Sequence, residues 1–225
     1  MCGRFVQATP SAVIAEIFGL GEVPELAPRY NIAPTQTAAV VRWRGGRREL
    51  AMLRWGLVPS WAKDPSMGAR LINARGETLA SKPAFRSALR TRRCVIPATG
   101  FYEWQKTAAG KKPYFFFLAS GLPMALAGLW EAWQPPEGPL WETFAIVTTQ
   151  ANARLAPIHD RMPAILDREA VERWLDPTVQ DADELLGLLA PAPDSWIACH
   201  PVSRAVNNPQ HDAPDCIAPL ESPPG

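Results

Sequence analysis

The chain has 225 residues, 47% of them apolar and nine of them Trp, enough to fill the core of one large domain or two small ones. No apolar run reaches the roughly 18 residues of a membrane span, and the first twenty residues lack a basic leader and a small-residue cleavage site, which predicts a soluble protein of the cytoplasm. The formal net charge of +1 hides an asymmetry: residues 1–112 hold 18 Lys/Arg against 7 Asp/Glu, and residues 113–225 hold 5 against 15. That imbalance points either to a polyanionic partner for the first half or to pairing of the two halves across one fold.

In chain order, Thr9-Pro10 followed by Val13, Ile14, Ile17 and Phe18 and closed by Gly19 has the cap, period and stop of a short helix. The next stretch, "LAPRYNIAPTQ", is a Pro-rich extended loop. "TAAVVRWR" and "RELAMLRWGLV" flank Gly45-Gly46, which predicts a hairpin with an Arg-rich tip. Further strands are expected in "CVIPATGFYEW", "PYFFFLA", "MALAGLWEAW", "TFAIVTTQ" and "SWIACHPVS". Helices are expected at 83–91, 150–156, 167–175 behind an Asp167 cap, and 181–189. Strands follow one another without regular helical crossovers, so an α+β fold with an antiparallel or mixed sheet is favoured over a doubly wound one. The segment 210–225 is Pro-rich and is expected to fray in its last few residues.

Four cysteines (Cys2, Cys94, Cys199, Cys216) lie far apart without CxxC pairing, and the three histidines lack helical ligand spacing. Neither a metal site nor a disulfide framework is indicated. Cys2 is the unusual one, because it follows the initiator directly. Cysteine is small enough for Met1 to be trimmed, which would leave a thiol and a free α-amine on neighbouring carbons. Elsewhere, "INARGET" (Asn73, Arg75, Glu77), "GFYEW" (Glu103) and "IHDRMP" (His159, Asp160, Arg161) set polar groups among apolar or aromatic neighbours near strand ends, where a polar group must find a partner or a task. Glu103 between Tyr102 and Trp104 is expected in a partly dry site suited to proton transfer.

The ordered set "MCGRF", "YNIAPTQ", "WGLVPSWAKD", "INARGET", "KPAF", "RRCVIPATGFYEW", "TTQAN", "IHDRMP" and "HPVS" resembles the SRAP family, the SOS-response-associated peptidases, over residues 2–209. The resemblance implies a single SRAP-type domain at 2–209, barrel-like with peripheral short helices, ahead of a C-terminal tail at 210–225. It also implies covalent capture of abasic sites in single-stranded DNA by the N-terminal cysteine, through a thiazolidine crosslink, by a monomer that needs no cofactor. Carried over by motif, the catalytic positions are Cys2, Asn73, Glu103 and His159, and the DNA contacts are Arg4, Pro34, Trp61, Asn73, Arg75, Thr148 and Arg161. Imine (lyase-type) chemistry and thiol autopeptidase activity go with that family. Arg clusters at 42–48 and 86–93 are candidates to extend the cationic track.

The chemistry suits these residues. A ring-opened deoxyribose is an aldehyde, and an α-amine with a pKa near 7.7–8.0 is neutral at pH 7 far more often than a lysine near 10.4. The thiol of the same residue can then close a five-membered ring with the large effective molarity of a tethered group. Two other readings stay open on sequence: an N-terminal-nucleophile amidohydrolase or thiol peptidase, since "MCG" also begins glutamine amidotransferases, and a noncovalent single-strand binder.

Overall fold

The computed structural model describes residues 2–220. In chain order these form β1 (Phe5–Gln7), α1 (Ser11–Phe18), β2 (Arg29–Ile32), β3 (Thr37–Arg44), β4 (Arg47–Trp55), β5 (Asn73–Arg75), α2 (Arg86–Thr91), β6 (Arg93–Ala98), β7 (Gly100–Thr107), β8 (Gly110–Leu118), β9 (Met124–Trp133), β10 (Trp141–Gln150), β11 (Arg161–Pro163), β12 (Ile165–Leu166), α3 (Arg168–Leu175), α4 (Ala182–Gly187) and β13 (Ile197–Pro201). Gly45 and Gly46 both take positive φ, 59° and 81°, the left-handed backbone a two-residue hairpin turn requires. They lock β3 to β4 in the register Thr37↔Arg54 through Arg44↔Arg47.

That hairpin is two fifths of a closed barrel. β3 pairs on its other side with β6, β6 with β9, β9 with β10, and β10 runs parallel to β4, which completes the ring β10-β4-β3-β6-β9. Closure leaves no sheet edge within the ring. β10 then outruns β4, and its far half pairs in parallel with β5 (Ile146↔Asn73 to Thr148↔Arg75) and antiparallel with β11 (Thr148↔Pro163 to Gln150↔Arg161). A second sheet, β13-β8-β7-β1-β2, lies against the barrel. Phe5, Trp55, Phe101, Phe116, Phe144 and Met162 form the core between them, with Phe5 edge-on to Trp55 at 5.0 Å and the indole N–H of Trp55 donated to the Ile72 carbonyl at 2.8 Å. The four helices cover another side of the barrel, where Ile14, Phe18, Leu89, Trp174 and Leu185 are buried together. None of the described helices is long and apolar enough to cross a membrane.

The α+β class, the barrel-like sheet and the short peripheral helices agree with the sequence reading, and several local expectations do not. Within the expected Pro-rich loop, β2 forms because the Asp212 carboxylate accepts from the backbone N–H groups of Tyr30 and Asn31. The predicted helix at 150–156 is a series of turns: the Asn152 side chain accepts from Leu155 N and donates to the Ala192 carbonyl, competing with helical bonding. "CVIPATGFYEW" is two strands, β6 and β7, divided at Thr99. Thr9 does not cap α1; Pro10 holds the cap position, and the Thr9 hydroxyl meets that of Thr99 at 3.2 Å. Asp167 and Asp181 cap α3 and α4 through their side chains. Residues 211–216 pack on the second sheet, with Cys216 buried; the expected fraying at the extreme C-terminus falls at 221–225, outside the described residues.

The arginine clusters at 42–48 and 86–93 are divided: Arg47, Arg86 and Arg90 face solvent, whereas Arg42, Arg44, Arg48, Arg92 and Arg93 are engaged within the fold. Arg42, 2% exposed, donates to Glu49 and to both oxygens of Glu142. Arg44 joins Glu142, Arg48 pairs with Glu172, and Arg92 pairs with Glu131. Arg93 spends its guanidinium on the carbonyls of Leu89, Arg90, Trp174 and Asp176. Much of the basic first half is therefore neutralised by the acidic second half inside one fold.

Candidate nucleic-acid interface around Cys2

Cys2 enters the structure just ahead of β1 and is fully buried. Its thiol points at the Arg4 carbonyl, 3.9 Å away. Burial pushes the thiol pKa up, and the nearby Glu103 carboxylate pushes it further, so sulfur sits here as a protonated thiol. Glu103 lies on β7, the strand hydrogen-bonded to β1, and is 4% exposed. Asn73 opens β5, and its Nδ2 donates to the Cys2 carbonyl at 2.9 Å, tying the start of the chain to the β5–β10 ladder. The Asn73 Oδ1 atom is buried and accepts no hydrogen bond among the described residues. His159 precedes β11. Its Nδ1 accepts from the Arg161 backbone N–H at 2.9 Å and lies 3.0 Å from an Asp160 carboxylate oxygen.

Three adjoining cavities make a groove past these groups. One of about 400 Å³ is lined by Arg75, Gln150, Ala151, Ala156, Asp160 and Arg161. A second of about 280 Å³ shares Ala156 and Asp160 with it and adds Trp104, Lys106 and His159. The third, about 460 Å³, shares Trp104, Lys106 and His159 with the second and adds Arg4, Glu103, Lys111 and Asn207. The groove thus has cations at both ends, with His159 and Glu103 along its course.

The other sequence candidates are distributed unevenly. Arg75 is exposed, lines the first cavity and has no ion-pair partner among the described residues. Arg161 lines it too, but its guanidinium grips both oxygens of Glu77 (2.5 and 2.9 Å) and the Thr148 carbonyl (2.7 Å); that grip holds the Glu77 carboxyl below its ordinary pKa range. Thr148 is fully buried beneath Arg161 on β10. Arg4 donates to Asn31 Oδ1 and the carbonyls of Val206 and Asn207. Trp61, 57% exposed, and Pro34 do not line the groove. Pro34 is followed by Thr35 at a φ of 71°, a strained conformation for a β-branched residue. Lys106, Lys111, Trp104, Gln150 and Asn207 were not singled out by sequence. The two lysines flank Gly110, where a turn signal was available in "TAAGK". Away from the groove, His211 Nε2 lies 2.9 Å from Asp215, with the Cys216 sulfur nearby.

A closed barrel with a buried Cys2 tied to Asn73 and near Glu103, beside a groove with cationic ends that Glu103 and His159 line, is a small α+β fold with a candidate site where β1, β5 and β7 meet. The chain belongs to the SOS response associated peptidase (SRAP) family, whose profile matches residues 1–209. It is 42% identical over 221 residues to the abasic site processing protein YoqW of Bacillus subtilis, covering 96% of this chain and 99% of that one. It is 38% identical over 227 residues to the abasic site processing protein HMCES of Gallus gallus, covering 86% of this chain and 67% of that one. Among solved structures, a Bacteroides thetaiotaomicron protein superposes with a TM-score of 0.89 at 25% identity, covering 98% of this chain and all of the other.

Proposed function

We propose that this protein captures abasic sites in single-stranded DNA covalently, through the α-amine and thiol of Cys2 once Met1 is removed. The observation that carries the reading is the meeting of Cys2 with Asn73 and Glu103 beside a groove that also holds His159. The names of the relatives supply the lesion.

In the proposed sequence His159, in its protonated form, gives a proton to the sugar ring oxygen as the C1–O4′ bond breaks, and the C1 hydroxyl gives up its proton to water, leaving the aldehyde. The neutral α-amine adds to the carbonyl carbon; Glu103 carries one proton from the nitrogen to the alkoxide, giving a carbinolamine, and then a second from the nitrogen to the hydroxyl, which leaves as water to give an imine. The thiol then adds to the imine carbon, its proton passing through Glu103 to the nitrogen, and a thiazolidine closes. A buried, protonated thiol suits this order, because sulfur is held in reserve until the amine has reacted. Asn73 orients the Cys2 backbone and has an open acceptor for the sugar. Arg75 and Arg161 bind backbone phosphates, with Arg161 exchanging Glu77 for phosphate; Arg4 shapes the groove wall, Pro34 and Trp61 guide the strand, and Thr148 seats Arg161. The domain of residues 2–209 performs this as a cytoplasmic monomer, and autoproteolytic loss of Met1 precedes it.

The test mixes purified protein with a uracil-containing oligonucleotide treated with uracil glycosylase and examines it on a denaturing gel. The reading expects one protein per lesion in a denaturant-stable adduct that is absent for Cys2→Ala and for protein retaining Met1. Turnover of an amide substrate with no adduct would replace it with an amidohydrolase.

A further inference from the structure

We propose that the β7–β8 hairpin carries a phosphate subsite, formed by Lys106 and Lys111, for the DNA strand flanking the captured lesion. The inference rests on the function proposed above and adds a binding element that neither the family motifs nor the sequence reading includes.

The argument begins with register. β7 and β8 pair antiparallel through Lys106↔Lys111 and Gln105↔Lys112, so Lys106 and Lys111 are directly opposed and their side chains leave the same face of the sheet. Like charges directly opposite one another destabilise a hairpin. Lys112 finds relief over the Tyr114 ring, with its ammonium 5.4 Å from the centroid. Lys106 and Lys111 have neither an ion pair nor an aromatic face among the described residues. Both instead line the cavity that holds Glu103 and His159, and Arg204 reaches the hairpin tip, its guanidinium 3.4 Å from the Ala109 carbonyl. Trp104, which shares their face two residues earlier on β7, is fixed by its N–H bond to Asn207 Oδ1 at 2.7 Å. Two opposed ammonium groups on a fixed wall attract a further anion, even beside the Glu103 carboxylate that shares their cavity. A phosphodiester threading the groove beside His159 supplies one.

The experiment compares wild type, Lys106→Gln/Lys111→Gln and Lys106→Arg/Lys111→Arg on an undamaged single-stranded oligonucleotide across a salt series, with single-turnover crosslinking at saturating and subsaturating abasic oligonucleotide in parallel. The glutamine pair is expected to lower the log-log salt slope by about 0.7, the value for the one phosphate that the two lysines share. It should raise the melting temperature by about 1–2 °C as the opposed charges go, and slow crosslinking less at saturating abasic oligonucleotide than below saturation; the arginine pair should keep the slope. Methylphosphonate replacement of single phosphates should reveal one position whose loss weakens wild type but not the glutamine pair. An unchanged slope, or a melting temperature that falls, overturns the subsite. Noncovalent binding of undamaged DNA does not depend on Cys2, so a protein that fails to crosslink would refute the proposed function while leaving this measurement readable.

Discussion

Arg42, Arg44, Arg48, Arg92 and Arg93, and the groove cations Arg75, Lys106 and Lys111, come from the same basic half of the sequence, yet they end in opposite electrostatic states. Arg42, Arg44, Arg48 and Arg92 are matched to glutamates, and Arg93 to backbone carbonyls. Arg75, Lys106 and Lys111 are matched to no carboxylate among the described residues. Net charge along a chain therefore does not locate a polyanion site; unpaired cations that share one groove narrow the search. The first group holds the barrel together, because partners as distant in sequence as Arg42 and Glu142 are joined through two oxygens. The second is available to bind.

Substitutions should separate the two regions, and the largest expected effect is at neither. Cys2→Ala should abolish the denaturant-stable adduct on a gel while leaving noncovalent DNA affinity within about twofold, since the residue supplies the reacting sulfur and no cation. Glu103→Gln, removing the proposed proton relay, should slow single-turnover crosslinking by about 10²–10⁴-fold, with the affinity for undamaged DNA unchanged. In the structural region, Arg42→Met leaves Glu142 and Glu49 without their buried partner and loses the stack on Trp130 at 4.3 Å. A loss of about 2–4 kcal/mol should appear as a melting temperature lower by roughly 5–12 °C, with the DNA salt slope unaltered. In the groove, Arg75→Gln should do the reverse, reducing the slope by about 0.7 and moving the melting temperature by less than about 1 °C.

Acid sharpens the same contrast. Arg42 holds the Glu142 carboxyl below its ordinary pKa, so the pair's stabilisation is complete above the unfolded glutamate pKa of about 4.3 and is lost as pH falls through the lower folded value. Wild type should lose stability below about pH 4.5 more steeply than Arg42→Met does, as denaturant midpoints measured from pH 6 to pH 3 would show.

Polar groups amid apolar neighbours single out Asn73, Glu103 and His159 in the sequence, Cys2 stands out by following Met1, and the family resemblance is what proposes catalytic roles for the four. What the sequence could not supply was pairing between distant segments. β2 lies hidden in a Pro-rich stretch because its stabilising acceptor, Asp212, is some 180 residues away. The fork between Arg161 and Glu77 spans 84 residues, so an arginine expected to meet phosphate is found holding a carboxylate. Residues 105–112 fall between the strands expected in "CVIPATGFYEW" and "PYFFFLA", but cross-strand bonding carries β7 and β8 through them to a tight turn, and only the resulting register brings Lys106 opposite Lys111. The helix expected at 150–156 fails for a related reason, because Asn152 is claimed by the Ala192 carbonyl.

The central claim is that nitrogen and sulfur of Cys2 bond to the same sugar carbon. Intact mass spectrometry of the wild-type adduct, with and without prior borohydride, tests it directly. The account predicts a mass equal to protein lacking Met1 plus abasic oligonucleotide minus one water, the same in both samples, because a thiazolidine has no C=N bond to reduce. A borohydride-dependent gain of two hydrogens would show an imine without the sulfur bond, and a product that retains Met1 would show that the α-amine of Cys2 was never the nucleophile.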